Sequence, residues 1–133
     1  ETCGVPVIGY RTDAFPSFFT RDSGCPVLQR MDDLRDVARM LALKDKMNLK
    51  GGTVIANPIP EADALAQDFI DRVIQEALAE ADKAGILGKA VTPFLLKTIV
   101  ERTQGRSLLA NIALVKNNAR VGAQLAMALC DWQ

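Results

Sequence analysis

Apolar positions along this chain alternate between short continuous runs of strand length and stretches spaced three and four apart, the pattern of an α/β chain. Val5 to Tyr10 (VPVIGY) predicts a buried strand. Val27 to Gln29 predicts a short edge strand. Asp32 then caps a helix on which Leu34, Val37 and Leu41 share a face, ending near Leu49 ahead of Gly51-Gly52. Thr53 to Asn57 (TVIAN) predicts a second buried strand, closed by Pro58-Ile59-Pro60, which cannot continue a ladder. Gln67 to Ala84 is the clearest helix: Ile70, Val73, Ile74, Ala77, Leu78 and Ala81 line one face and Gly85 stops it. Thr92-Pro93 reads as an N-cap followed by proline at the first helical position, with a helix to about Thr103 and Gly105 beyond it. Ser107 caps the last helix, which runs to about Leu129 and is apolar around most of its circumference, as expected of an element packed on several sides. The fold class expected is α/β, a layered α/β/α sheet with flanking helices.

Two segments break the apolar pattern. In Ser107 to Asn118 (SLLANIALVKNN), Asn111 and Asn118 lie seven apart and share a face with Ser107. A buried carboxamide without partners costs about 1–3 kcal/mol, so this strip either closes an internal hydrogen-bond network or faces a ligand. Arg11 to Pro26 (RTDAFPSFFTRDSGCP) holds two prolines and three of the five phenylalanines, Phe15, Phe18 and Phe19. It predicts a long irregular loop, either functional or pinned to the core by its rings. Asn57 closes a strand at the carboxyl end, where open α/β sheets bind ligands and where turns also begin.

Composition narrows the chemistry by exclusion. The 133 residues are 49% hydrophobic, enough for one domain. Sixteen basic residues offset sixteen acidic ones without a basic run, so no footprint for nucleic acid or an anionic membrane surface is present. There is no histidine, which removes Ser-His-Asp and Cys-His catalysis and any His-containing zinc site from these residues. Cys3, Cys25 and Cys130 are an odd, widely spaced set, read as free thiols in a reducing compartment, the cytoplasm. No apolar run reaches membrane-spanning length. Phosphate-loop, dinucleotide, HExxH and GxSxG motifs are absent. Lys89 and Lys116 are the lysines nearest apolar or asparagine-rich context; either could serve as an amine nucleophile if its pKa were lowered, and the plain alternative is a solvated amine. Glu1-Thr2-Cys3-Gly4 reads as the last turn of a helix ended by glycine, which predicts that the chain starts inside a larger unit.

Four ordered blocks, GVPVIGYRTDAFPSFFTRDSG, GGTVIANPIP, GKAVTPFLL and GRSLLANIALVKNNARVGAQLA, resemble the C-terminal part of the pseudouridine-5′-phosphate glycosidase family, also called the indigoidine synthase A family. The resemblance implies that residues 1–133 are the C-terminal portion of a larger single-domain enzyme whose N-terminal half is absent here. It implies reversible cleavage of the carbon-carbon glycosidic bond of pseudouridine 5′-phosphate to uracil and ribose 5-phosphate, with a divalent metal, usually manganese. That bond has no leaving oxygen to protonate, and the family uses a lysine Schiff base on the opened sugar as electron sink. By the same resemblance the lysine, the catalytic glutamate and the metal ligands lie upstream of Glu1, and family members are homotrimers. Asn111 is the position carried over as a catalytic-site residue that orients the substrate or opened sugar. Asn118 is a candidate substrate contact, although it and Asn117 also suit a structural role at a crowded helix packing. Thr12 and Asp13 are candidates for shaping the site or a subunit contact. Cys3, Cys25, Ala14 and Leu109 depart from the family pattern, and Ala14 puts an acidic role for that loop in doubt. The alternative is a non-catalytic domain for phosphosugar binding or assembly; a generic nucleotide or sugar-phosphate binding domain is a third reading.

Overall fold

The strand signals resolve into three short parallel strands. The structure, a computed structural model describing residues 4–132, contains β1 (Val7–Tyr10), β2 (Gln29–Met31) and β3 (Val54–Ala56) in the order β2-β1-β3. Ile8 pairs with Gln29 on one side and Ile55 on the other. The four helices are α1 (Leu34–Lys46), α2 (Gln67–Lys83), α3 (Val91–Arg102) and α4 (Arg106–Cys130). The helical turn expected at Glu1 to Cys3 lies outside the described residues.

Alternation along the strands gives each sheet face its own cover. Tyr10 and Ile55 point toward α1 and α4, where they pack with Leu34, Val121 and Leu125. On the opposite face the loop after β1 crosses directly over Gly9: a Cβ there would stand 2.6 Å from Val27 Cγ2 and would run into the Thr12 carbonyl oxygen. Glycine is required at that position by close backbone approach. A second core lies away from the sheet. Ile59, Ile70, Val73, Ala77, Ile99 and Ala110 bury one another, with Phe19 of the loop inserted among them. Helix α4 joins the two cores, contributing Ala110 to one and Val121 to the other.

Among the boundaries that differ from the pattern-based expectation, four have a local cause. The edge strand expected at Val27–Gln29 begins at Gln29, because the Val27 N–H donates to the Asp13 carbonyl at the loop base (2.9 Å). Asp33 rather than Asp32 caps α1, accepting from the Arg35 N–H at 2.8 Å; Asp32 instead accepts from Arg30 at 2.8 Å. Helix α3 begins at Val91, fed by a 3₁₀ turn at Gly88–Ala90. Thr92 is thus inside the helix, and Pro93 stands in the first turn, where its missing N–H has no intrahelical acceptor to lose. Gly105, at φ +81°, separates α3 from α4 and precedes Arg106, so Ser107 lies within the first turn and is not the cap. Thr103 satisfies it: the Ser107 N–H donates to Thr103 Oγ1 (3.1 Å) and the two buried hydroxyls share a hydrogen bond of 2.9 Å. Part of the polar strip on α4 therefore closes an internal network. The helix is also less enclosed than its composition suggests, since Leu108, Leu109, Ile112 and Val115 remain exposed along one side.

Candidate functional site

Because all three strands are parallel, β1 and β3 present their carboxyl ends at one edge, the edge at which open α/β sheets bind ligands. Two consecutive asparagines of α4 meet the chain leaving β3 there. Asn57 Nδ2 donates to Asn118 Oδ1 at 2.8 Å, and Asn117 Nδ2 donates to the Pro58 carbonyl at 3.3 Å. Successive residues on a helix diverge by 100°, so this pair straddles the end of the strand.

A cleft opens on each side. The polar one, about 330 Å³, is lined by Arg11, Arg21, Arg120, Asn117 and Gln124, with Tyr10 at its base. The apolar one, about 540 Å³, lies between Phe15 and Phe18 of the loop and Leu114, Asn118 and Gly122 of α4. Asn57 and Val121 line both. Local structure accounts for two of the three arginines. Arg11 is held at φ +55° while its N–H donates to the Met31 carbonyl (3.1 Å), its Nε donates to the Asp32 carbonyl (3.0 Å), and its guanidinium lies 5.0 Å from the Tyr10 ring centre. Arg21 donates to the Ile59 carbonyl at 2.6 Å, tying the loop to the second core. Arg120 has no carboxylate partner among the described residues. Neither cleft is lined by a carboxylate, a lysine or a thiol. The arrangement can bind and orient a polar or anionic small molecule and stack an apolar ring, but these linings hold no group suited to proton transfer near neutral pH.

The residues singled out by sequence fall in three places. Asn118 is in the apolar cleft, bonded to Asn57. Asn111 is half-buried on the same side of α4, one turn before the cleft residue Leu114, and its side chain makes no hydrogen bond among the described residues. Thr12 and Asp13 stand apart, at the base of the loop. Thr12 Oγ1 donates to the Ala14 carbonyl (2.8 Å), and the Asp13 carboxylate pairs with Arg30. Hydrogen bonds donated by its guanidinium to Asp32 and then to Asp13 raise the pKa of Arg30. Thr12 and Asp13 line a separate shallow depression with Arg21, which also reaches the polar cleft. Lys89 and Lys116 are exposed and line neither cleft. Among the described residues no cluster of three or more carboxylate, thiol or imidazole groups is placed to hold a metal ion, and no chemical step is assigned to one. No helix among them is long and apolar enough to cross a membrane. Sequence reasoning missed Arg11, Arg21 and Arg120. Arg120 follows Asn117 by three and so shares its side of α4, a usable signal; Arg21 sits in irregular chain, where spacing carries none.

The sequence pattern of the indigoidine synthase A like protein family matches residues 1–128. The chain is 54% identical over 127 residues to a pseudouridine-5′-phosphate glycosidase of Glaesserella parasuis, covering 96% of this chain and 42% of that protein. It is 58% identical to one from Lysinibacillus sphaericus, with the same shares covered. The chain thus spans well under half the length of these curated relatives. Among solved structures, the prealnumycin C-glycosynthase AlnA in complex with ribulose 5-phosphate superposes with a TM-score of 0.87 at 39% identity, covering 96% of this chain and 42% of AlnA. An indigoidine synthase A-like protein from Thermotoga maritima superposes with a TM-score of 0.81 at 35% identity, covering 99% and 42%. Sequence and fold agree along nearly the whole chain, and it belongs to the indigoidine synthase A like family.

Proposed function

We propose that this chain is the C-terminal portion of a cytoplasmic pseudouridine-5′-phosphate glycosidase, which reversibly splits the carbon-carbon glycosidic bond of pseudouridine 5′-phosphate into uracil and ribose 5-phosphate. The observation that carries the reading is identity of 54–58% to curated glycosidases across 96% of the chain. The clefts at the sheet's carboxyl edge supply polar positioning groups without an acid, base or amine nucleophile. The reading accordingly places the Schiff-base lysine, the proton-transferring carboxylate and the manganese ligands in the part of a family-length chain that these residues do not cover. Within the present residues, Asn111 contacts the substrate or the opened sugar, Asn118 orients it from the cleft, and Thr12 and Asp13 hold the loop that walls the site. The active assembly is a homotrimer.

Borohydride trapping tests this division of labour. In a family-length chain containing these 133 residues, reduction in the presence of ribose 5-phosphate should fix the sugar to a lysine outside the present sequence. Asn111→Ala should lower kcat for uracil release by about 10²–10³, the cost of losing one oriented hydrogen-bonding group. An adduct on Lys89 or Lys116 would overturn the assignment.

A further inference from the structure

Apolar side chains stand exposed beside Asn111 and Asn118, from the sheet edge along α4. Val54 of β3 is 41% exposed at the free edge of the sheet, and Phe18 is 49% exposed across the apolar cleft from it. On α4 the same side continues through Val115, Ile112 and Leu108, exposed by 59%, 42% and 47%. At 100° per residue, Asn111 and Asn118 occupy the flank between this stripe and the buried face of the helix. The backbone tells the same story. The Val54 N–H donates inward to the Pro6 carbonyl (2.9 Å), so by the alternation of a parallel ladder the Ile55 N–H and C=O point outward from the edge. Parallel sheets with uncovered apolar surface and a free central-type edge are rare, because their crossover connections cover them.

The opposite edge is of another kind. Strand β2 itself carries exposed Gln29 and Arg30, with Arg30 paired with Asp13 and Asp32, and exposed Leu28 precedes it, so the strand, though not the loop before it, has the charged character of an edge that ends a sheet.

We propose that the surface from the free edge of β3 to the Leu108–Val115 stripe of α4 is where the remaining part of a family-length chain docks, pairing with β3 and closing over Asn111 and Asn118. The occupant follows from length: the curated relatives have more than half of their residues outside the region matched by this chain. An apolar patch of this extent marks an interface. The inference rests on family membership and on the geometry, not on the proposed activity.

The test uses a family-length chimera in which these 133 residues replace the matching part of the Glaesserella parasuis protein. In a background whose native cysteines, Cys3, Cys25 and Cys130 among them, are replaced by serine, single thiols are introduced by Val54→Cys and Val115→Cys, and their labelling by a maleimide is compared with labelling in denaturant. Both should react at least 100-fold more slowly in the folded chimera, at concentrations from dilute monomer upward, and hydrogen exchange should show the Ile55 amide protected. Thiols that react at the denatured rate would overturn the proposal. So would protection that disappears on dilution to monomer, which would assign the surface to a second copy. Should the chimera fail to fold, exchange at the aligned strand of the intact Glaesserella parasuis protein decides by the same criterion. Uracil release is not read, so failure here is distinct from failure of the glycosidase reading.

Discussion

The two hydrophobic regions of the molecule differ in how completely this chain encloses them. Around Ile59 and Ile70, helices α2, α3 and the start of α4 bury one another, and even the hydroxyls of Thr103 and Ser107 are paired within the cluster. Around the sheet, α1 and α4 seal one face, while the other carries a loop with half-exposed Phe15 and Phe18 and an edge at Val54. The contrast separates a self-contained core, which explains stability, from an open surface at which the candidate site lies. Asn57, Asn117 and Asn118 stand at the open end.

Perturbations should expose this asymmetry. The largest effect belongs to the closed core: Ile70→Ala should remove about 2–5 kcal/mol of unfolding free energy in a denaturant titration, as fully enclosed aliphatic truncations do. Gly9→Ala comes next at about 1–3 kcal/mol, because the added Cβ meets a backbone carbonyl that has little freedom to give way. Thr103→Ala should cost about 1–2 kcal/mol by stranding the Ser107 N–H and hydroxyl. Val115→Ser should stay within about 0.5 kcal/mol in the 133-residue chain, since that side chain is largely in water here. The smallest change is expected for Arg102→Ala, whose exposed guanidinium bonds Glu76 and Glu80. Any loss of Tm should shrink in 1 M salt. The hydrogen bond that Arg102 donates to Glu80 leads the upward shift of the Arg102 pKa. With that pKa raised above an already very basic value, the contribution is present at all lower pH while the glutamates are ionised and would be lost only in strong base. Stability differences at Arg102 should therefore be flat from pH 6 to 9.

Legibility in the sequence followed how locally each feature is encoded. The strands at Val7–Tyr10 and Val54–Ala56, the helix at Gln67–Lys83 and its glycine stop were readable because periodicity and a single φ > 0 residue specify them. The caps were misassigned at Ser107 and Thr92 because tertiary neighbours decided them: a buried threonine four residues earlier in one case, a preceding 3₁₀ turn in the other. Asn118 and Asn57 were each conspicuous, but their pairing spans 61 positions and has no signature in spacing. The exposed stripe on α4 was invisible for a related reason. An apolar helix reads as enclosed whatever encloses it, and composition cannot distinguish a neighbour in this chain from one outside it.

The central claim is that these residues supply positioning groups and binding surface while the reacting amine lies elsewhere in a family-length chain. Uracil release from pseudouridine 5′-phosphate with manganese, measured side by side for the 133-residue chain and a family-length chain containing it, tests this most directly. The account predicts turnover by the longer chain and none by the shorter one. Release by the 133-residue chain at a comparable rate would contradict it.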